Sequence, residues 1–276
     1  MRFRASVAVV SGALALSALS VPAAQAADGG LDLPKSLSSF AGTNSGNGKI
    51  TGVTVNGGKG VAVGVSKKRI TISVTAQRKG GAVGAVALPY RGSFANPSAL
   101  LVPNEPSSNP CSYGSTTLTC KYTFDLDPKT TVVNEHLTNQ DAGAWKIAAF
   151  SFKENGDTVS VVENYRSVKF QRAAKLTANA APEPVRRGAN ITVTGDLTRA
   201  NWDTLKYGGF TSGAVKLQYK KQGTTTWKTL KTVSADSRGK VKTTTKASAD
   251  GHYRLSYGGS TTTGGATSAA DFIDVR

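Results

Sequence analysis

The sequence predicts an all-β protein made of two tandem immunoglobulin-like antiparallel β-sandwich domains after a signal peptide. Runs of alternating apolar and polar residues recur along the chain, with turn residues about every ten positions. The composition favours strands joined by turns, because Gly, Thr and Val abound while Met occurs once in 276 residues. The chain is also longer than one sandwich usually needs, which favours two domains.

The N-terminus has the pattern of a secretory signal peptide. Arg2 and Arg4 precede an apolar run over 5–21, and the triplet Ala24-Gln25-Ala26 follows. A retained membrane anchor is the alternative, but the run holds few large apolar residues and no stop-transfer pattern follows it. We therefore expect cleavage after Ala26 and no integral membrane span. The product is expected to be secreted, extracellular or loosely envelope-associated.

The rest of the chain divides into a short segment and two domains. Residues 27–48 are rich in Gly, Ser and Asn and predict a flexible N-terminal segment. Residues 49–172 predict the first sandwich: Arg69–Thr75 alternates as a half-buried strand, and Asn155-Gly156 predicts a hairpin turn. Residues 173–276 predict seven strands, the number expected of an immunoglobulin-like sandwich.

The two cysteines predict a structural disulfide. Cys111 and Cys120 are the only cysteines, and an even pair in an exported chain indicates a bridge, here across a short hairpin. A zinc site would need a second Cys or His pair, and a thiol-redox site would need Cys-x-x-Cys. We therefore predict no metal site at these residues.

Two sets of motifs carry a family resemblance. In the second half they are Gly188-x-x-Ile191-Thr-Val-Thr-Gly195-x-Leu197, Val215–Tyr219, Trp227-x-Thr-x-x-Thr232, Asp236-x-x-Gly239 and Tyr253-Arg254-x-x-Tyr257-x-Gly259. In the first half they are Ile50-Thr-Gly-Val53, Leu101-Val-Pro-Asn104, the cysteine pair and Gly143-Ala-Trp145. On these motifs the chain resembles secreted actinobacterial two-domain proteins of uncharacterised function with a C-terminal immunoglobulin-like module. The resemblance implies fold and export, and it transfers no catalytic position or ligand.

Residues for catalysis or metal binding are scarce. His136 and His252 are the only histidines, and no Gly-x-Ser-x-Gly or His-Glu-x-x-His pattern is present. We therefore predict no enzyme activity, no catalytic residue and no cofactor. A carboxylate-dependent glycoside hydrolase is an alternative. Its candidate acids are Glu105, Asp125, Asp127, Glu135, Glu154 and Glu163. Ordinary turns are favoured over weak calcium sites in the acidic turns, because no twelve-residue calcium loop is present.

The charge balance points to anionic partners. The chain has 34 Lys and Arg against 17 Asp and Glu. Removing the signal peptide removes two arginines and no acid, so 32 basic residues remain and the net charge is +15. Residues 27–172 have 16 basic and 10 acidic residues, and residues 173–276 have 16 and 7, so the domains carry +6 and +9. Export and the lack of interleaved stacking aromatics argue against nucleic acid.

These features predict a non-catalytic binding protein that associates with anionic cell-envelope polymers or surface glycans. The candidate ligand-binding residues are Lys216, Lys220, Lys221 and Lys228 for attraction, with Trp202, Tyr207 and Phe210 for specific contacts. The three aromatic residues lie in an irregular segment between strands, a common place for recognition. A loop plug that buries these rings is the alternative for that segment. A structural envelope protein without a specific ligand is the alternative for the whole chain.

Overall fold

The protein is all-β in the part of the chain that the structure describes. The computed structural model describes residues 37, 47–104, 108–130, 136–211 and 214–276, which form nineteen strands in four sheets. The predicted signal peptide lies outside the described residues. Leu37, Asn47 and Gly48 are the described part of the predicted flexible segment. Leu37 is fully buried in a hydrophobic core, and the Gly48 carbonyl accepts a hydrogen bond from Ser151 Oγ at 2.8 Å.

The first sandwich consists of nine strands in two sheets. In chain order they are β1 (Ile50–Val55), β2 (Val61–Val63), β3 (Lys68–Gln77), β4 (Gly84–Gly92), β5 (Pro97–Leu100), β6 (Cys111–Tyr113), β7 (Thr117–Leu126), β8 (Gly143–Phe152) and β9 (Thr158–Arg172). The sheet orders are β1-β3-β7-β6 and β2-β9-β8-β4-β5, with β2 parallel to β9 and every other pair antiparallel. This arrangement matches the A-B-E-D and G-F-C sheets of the immunoglobulin fold, so the predicted fold class is confirmed.

The second sandwich follows after Ala173. Its strands are β10 (Ala174–Leu176), β11 (Asn179–Ala181), β12 (Asn190–Asn201), β13 (Lys206–Gly209), β14 (Ala214–Lys221), β15 (Lys228–Ser234), β16 (Lys240–Lys246), β17 (Gly251–Tyr257), β18 (Ala266–Thr267) and β19 (Asp271–Ile273). The strand β12 pairs with β10, β11, β13 and β16, and the other sheet runs β15-β14-β17 with β18 and β19 beside β17. The strand β13 lies in a segment that the sequence predicts to be irregular.

Alternating residues build both cores as the sequence predicts. Ile70, Ile72 and Val74 of β3 are at most 2% exposed, and Val215 and Leu217 of β14 are fully buried. Because successive side chains on a strand point to opposite faces, the residues between them face solvent. The outward surface of each sheet is therefore set by the same alternation that fills the core.

The predicted disulfide of the first sandwich is confirmed, and Trp145 lies in its core. Cys111 and Cys120 face each other across β6 and β7 and form a disulfide. Trp145 is 1% exposed, packs against Phe170 with ring centroids 5.2 Å apart, and donates its indole N–H to the Asp141 carbonyl at 2.8 Å. Trp145 is therefore a core residue with its polar atom satisfied.

Candidate functional site

Trp202, in the predicted aromatic recognition segment, is buried at the junction of the two sandwiches. Trp202, directly after β12, is 1% exposed and belongs with Ala200 to the hydrophobic core of the first sandwich. Its indole N–H donates to the Val63 carbonyl of β2 at 3.1 Å. Trp202 therefore joins the sandwiches, and the prediction that its ring is exposed to a ligand is wrong.

The other two aromatics of that segment are also engaged within the protein. Phe210 is 8% exposed and packs edge-on against Tyr257, with the Arg199 guanidinium 4.7 Å from its ring. Tyr207 is half-buried, with Lys175 Nζ 4.0 Å from its ring centroid, and burial raises the pKa of its hydroxyl. These contacts support the loop-plug alternative for all three aromatic residues.

Asn139, from the first sandwich, is the centre of the polar part of this junction. Its Oδ1 accepts from Arg172 Nη1 at 2.6 Å and from the Trp202 backbone N–H at 3.0 Å. Its Nδ2 donates to Asn201 Oδ1 at 2.8 Å and to Asp203 Oδ2 at 2.6 Å. Every polar atom of the Asn139 side chain is therefore satisfied by groups of the junction.

The predicted lysines divide between the two sides of their strands. Lys216 and Lys220 occupy outward positions of β14, since Val215 and Leu217 between and beside them are buried. Lys228 pairs with Tyr219, and Lys221 pairs with Gly251. Both lysines therefore occupy strand positions on the side of the sheet opposite to Lys216 and Lys220. All but Lys220 are exposed, and Lys220 is half-buried.

The aromatic residue that lies beside Lys220 is Trp227, directly before β15. Its half-buried ring has Arg254 Cζ 3.9 Å and Lys220 Nζ 5.3 Å from the ring centroid. Arg254 lies on β17 opposite Gln218, and its Nε donates to Gln218 Oε1 at 2.8 Å. We use the name basic face for the surface formed by Lys216, Gln218, Lys220, Trp227, His252 and Arg254.

The basic face carries positive charge without compensating acid. The described outward positions of β14, β15 and β17, as the strand pairing defines them, contain no Asp or Glu. At one end of the face His252 packs against Phe272 with ring centroids 5.2 Å apart, and Phe272 is 36% exposed. Sequence analysis missed Trp227 and Arg254 because they join Lys220 only through cross-strand pairing. The alternation of inward and outward positions along each strand was the feature of the sequence that could have indicated them.

The candidate carboxylates of a hydrolase do not form a general acid pair in the described residues. Asp125 is 5% exposed and accepts from Arg69 Nε at 2.7 Å and Nη2 at 2.8 Å. Hydrogen bonds from Arg69 hold the pKa of Asp125 well below its usual range, with Lys67 adding to the effect. A general acid needs a raised pKa, so Asp125 is unsuited to that role.

Asp127 lies near Asp125, because Lys67 Nζ is 4.0 Å from Asp127 Oδ2 and 3.2 Å from Asp125 Oδ2. Asp127 Oδ1 accepts from the Lys129 backbone N–H at 2.9 Å, and its backbone forms a bridge with His136. Glu154 and Glu163 are exposed on a turn and on β9. Glu105 and Glu135 lie outside the described residues. Over the described ranges, no group of three His, Cys, Asp or Glu residues could hold a metal ion, and no helix is long and apolar enough to cross a membrane.

Comparison with known proteins identifies no family for this chain. No protein-family model and no curated protein matches it. Among solved structures, the ectodomain of mouse nectin-like molecule 4 is similar at 12% identity and a TM-score of 0.26, over 83% of this chain and 65% of that one. A cytokine receptor complex is similar at 12% identity and a TM-score of 0.33, over 80% of this chain and 94% of that one. Latent PorU from Porphyromonas gingivalis is similar at 11% identity and a TM-score of 0.28, over 83% of this chain and 20% of that one. The chain thus spans just under two thirds of the nectin-like ectodomain and one fifth of PorU.

Proposed function

We propose that this is a secreted, non-catalytic binding protein that associates with anionic cell-envelope polymers or acidic surface glycans. The observation that carries the proposal is the basic face, where Lys216, Lys220 and Arg254 lie on one sheet surface with no carboxylate at the described outward positions. A surface with one sign of charge attracts polyanions and raises their rate of association. The Cys111–Cys120 bridge supports export, because such bonds persist in oxidising compartments.

The opposite sheet of the second sandwich is a useful contrast. Its strand β16 also presents exposed lysines, Lys240, Lys242 and Lys246. However, Lys240 Nζ lies 2.6 Å from Asp196 Oδ1 on β12, so part of this charge is neutralised locally. The basic face is therefore the better candidate for a polymer-binding surface.

The test measures retention of the protein on immobilised polyanions. The protein without its signal peptide is passed over polygalacturonate and over long-chain polyphosphate, with neutral dextran as a blank, from low to high salt. Exposed charges act over about 8 Å at physiological ionic strength, so we expect retention at low salt that falls steeply as salt rises. No retention on either polyanion at low salt would refute the proposal.

A pair of matched variants locates the surface. Lys216→Gln with Lys220→Gln removes two positive charges from the basic face, whereas Lys242→Gln with Lys246→Gln removes two from the opposite sheet. We expect the first variant to elute at clearly lower salt and the second to elute close to the parent protein. Equal losses would show that net charge alone causes retention and would contradict the assignment to the basic face.

A further inference from the structure

We propose that Arg254 is a preorganised binding site for the carboxylates of an acidic polysaccharide, with Trp227 and Gln218 as positioning residues. This inference rests on the proposed function and names the polymer class that the basic face selects. Attraction by lysines alone would accept any polyanion. The surroundings of Arg254 add geometry to charge.

The first step in the argument is that the Arg254 guanidinium is held in place. Its Cζ lies over the Trp227 ring, 3.9 Å from the ring centroid, and its Nε donates to Gln218 Oε1 at 2.8 Å. Gln218 is itself oriented, because its Nε2 donates to Thr229 Oγ1 at 3.4 Å. An arginine fixed in this way loses little side-chain entropy when it binds an anion.

The second step is that the binding atoms of Arg254 remain accessible. Within the described part of the chain, Nε makes the side-chain hydrogen bond of Arg254, and Nη1 and Nη2 have no protein partner. Arg172 Nε is the buried polar atom without a partner among the described side chains. The terminal nitrogens of Arg254, which also have no protein partner, are therefore not buried and face solvent. Two parallel N–H donors of a planar guanidinium match the two oxygens of a carboxylate.

The third step is the repeat of cations along the face. Gln218, the residue opposite Arg254, lies midway between Lys216 and Lys220 on β14. Positions two residues apart on a strand are about 7 Å apart, so a lysine flanks Arg254 on each side along the strand. A linear polymer with repeated negative groups can therefore contact all three cations at once.

The neighbouring groups favour sugar over a bare phosphate chain. Trp227 leaves part of its indole exposed, and Thr229 and Ser256 place hydroxyl groups at adjacent outward positions. A pyranose ring can pack its apolar face on an indole and hydrogen-bond its hydroxyls to such side chains, whereas polyphosphate has no apolar surface to bury. The proposed occupant is accordingly a polysaccharide that carries carboxylates.

The experiment compares polygalacturonate with polyphosphate for two variants that keep the net charge. Arg254→Lys preserves the positive charge but removes the planar pair of donors, and Gln218→Leu removes the acceptor that holds Nε. We expect affinity for polygalacturonate to fall about tenfold for Arg254→Lys and severalfold for Gln218→Leu. The loss for polyphosphate should be smaller, because that polymer lacks the sugar contacts that hold a carboxylate at Arg254. Arg238→Lys, in an exposed turn, is the matched control and should match the parent protein. Urea unfolding midpoints verify that each variant is folded.

The outcomes separate this inference from the proposed function. If Arg254→Lys binds polygalacturonate as well as the parent protein does, the carboxylate site is refuted while the polyanion-binding function stands. Equal losses for polygalacturonate and polyphosphate would mean a general oxyanion site and would overturn the choice of polysaccharide. If the parent protein binds neither polymer, the proposed function and this inference fall together.

Discussion

Replacing Trp202 tests the junction between the two sandwiches. The Trp202→Ala variant removes a ring that belongs by sequence to the second sandwich but fills the core of the first. It also removes the indole N–H that donates to the Val63 carbonyl. The Val63 carbonyl keeps a second partner, the Ala173 backbone N–H at 2.7 Å. The loss should therefore come mainly from packing.

The magnitude follows from the buried surface. A buried aromatic side chain of this type covers about 150 to 250 Å². At about 25 cal/mol per Å², this area corresponds to about 4 to 6 kcal/mol, and substitutions of buried Trp by Ala cost about 3 to 5 kcal/mol. We therefore expect Trp202→Ala to lower the free energy of unfolding of the first sandwich by about 4 kcal/mol.

The assay is urea unfolding of the chain without its signal peptide, followed by circular dichroism and by tryptophan fluorescence. Trp227→Ala is the matched control, because it makes the same substitution at a half-buried ring on the outward face. This substitution should lower the free energy of unfolding by about 1 kcal/mol or less. A loss below about 1 kcal/mol for Trp202→Ala would refute the burial argument. In a variant that retains Trp202 alone among the tryptophans, acrylamide should quench its fluorescence poorly.

Three further predictions address stability. The double variant Cys111→Ser with Cys120→Ser should lose about 2.5 kcal/mol, the loop-closure entropy of a loop of about ten residues, as measured by urea unfolding against the oxidised parent protein. Arg69 lowers the pKa of Asp125 in the folded state, so the ionised Asp125 stabilises the fold. This stabilisation is complete above the ordinary Asp pKa of about 3.9 and is lost as the pH falls below that value. The Asp125→Asn variant should therefore be less stable than the parent protein at pH 7, and its free energy of unfolding should decrease less as the pH falls into the acid range. An equal decrease in both proteins would contradict the ion pair. Asn139→Ala should cost at least about 2 kcal/mol, since it leaves several junction groups unpaired, and near-neutral unfolding data would show that water replaces the side chain.

Local pattern in the sequence was sufficient for most strands and for their core faces, but it missed β13 (Lys206–Gly209) and predicted seven strands in residues 173–276, where the structure has ten. Alternation in Arg69–Thr75 and Ala214–Lys220 predicts which side chains are buried, because the two faces of a strand depend on residue parity alone. The disulfide was also predictable, since two cysteines nine positions apart in a hairpin leave one pairing. These features depend on neighbours in the chain.

The aromatic residues show where local pattern is insufficient. Trp202 and Trp227 both follow turn residues in polar surroundings, and the sequence analysis assigned recognition to Trp202. Burial of Trp202 depends on the core of the first sandwich and on Val63 of β2, which lies 139 positions away in the chain. A contact between two domains produces no periodic pattern of apolar residues in the sequence of either domain.

The amino-acid sequence by itself determined most of the strands, the alternating core positions, the bridge and the excess of positive charge, because each follows from residue type and spacing. The tertiary structure alone decided which charges and rings share a surface. Strand pairing brings Arg254 beside Trp227 and Gln218, although 27 and 36 positions separate them in the chain. Cross-strand register depends on the packing of the whole sheet, and it therefore defines the candidate site only after the chain has folded.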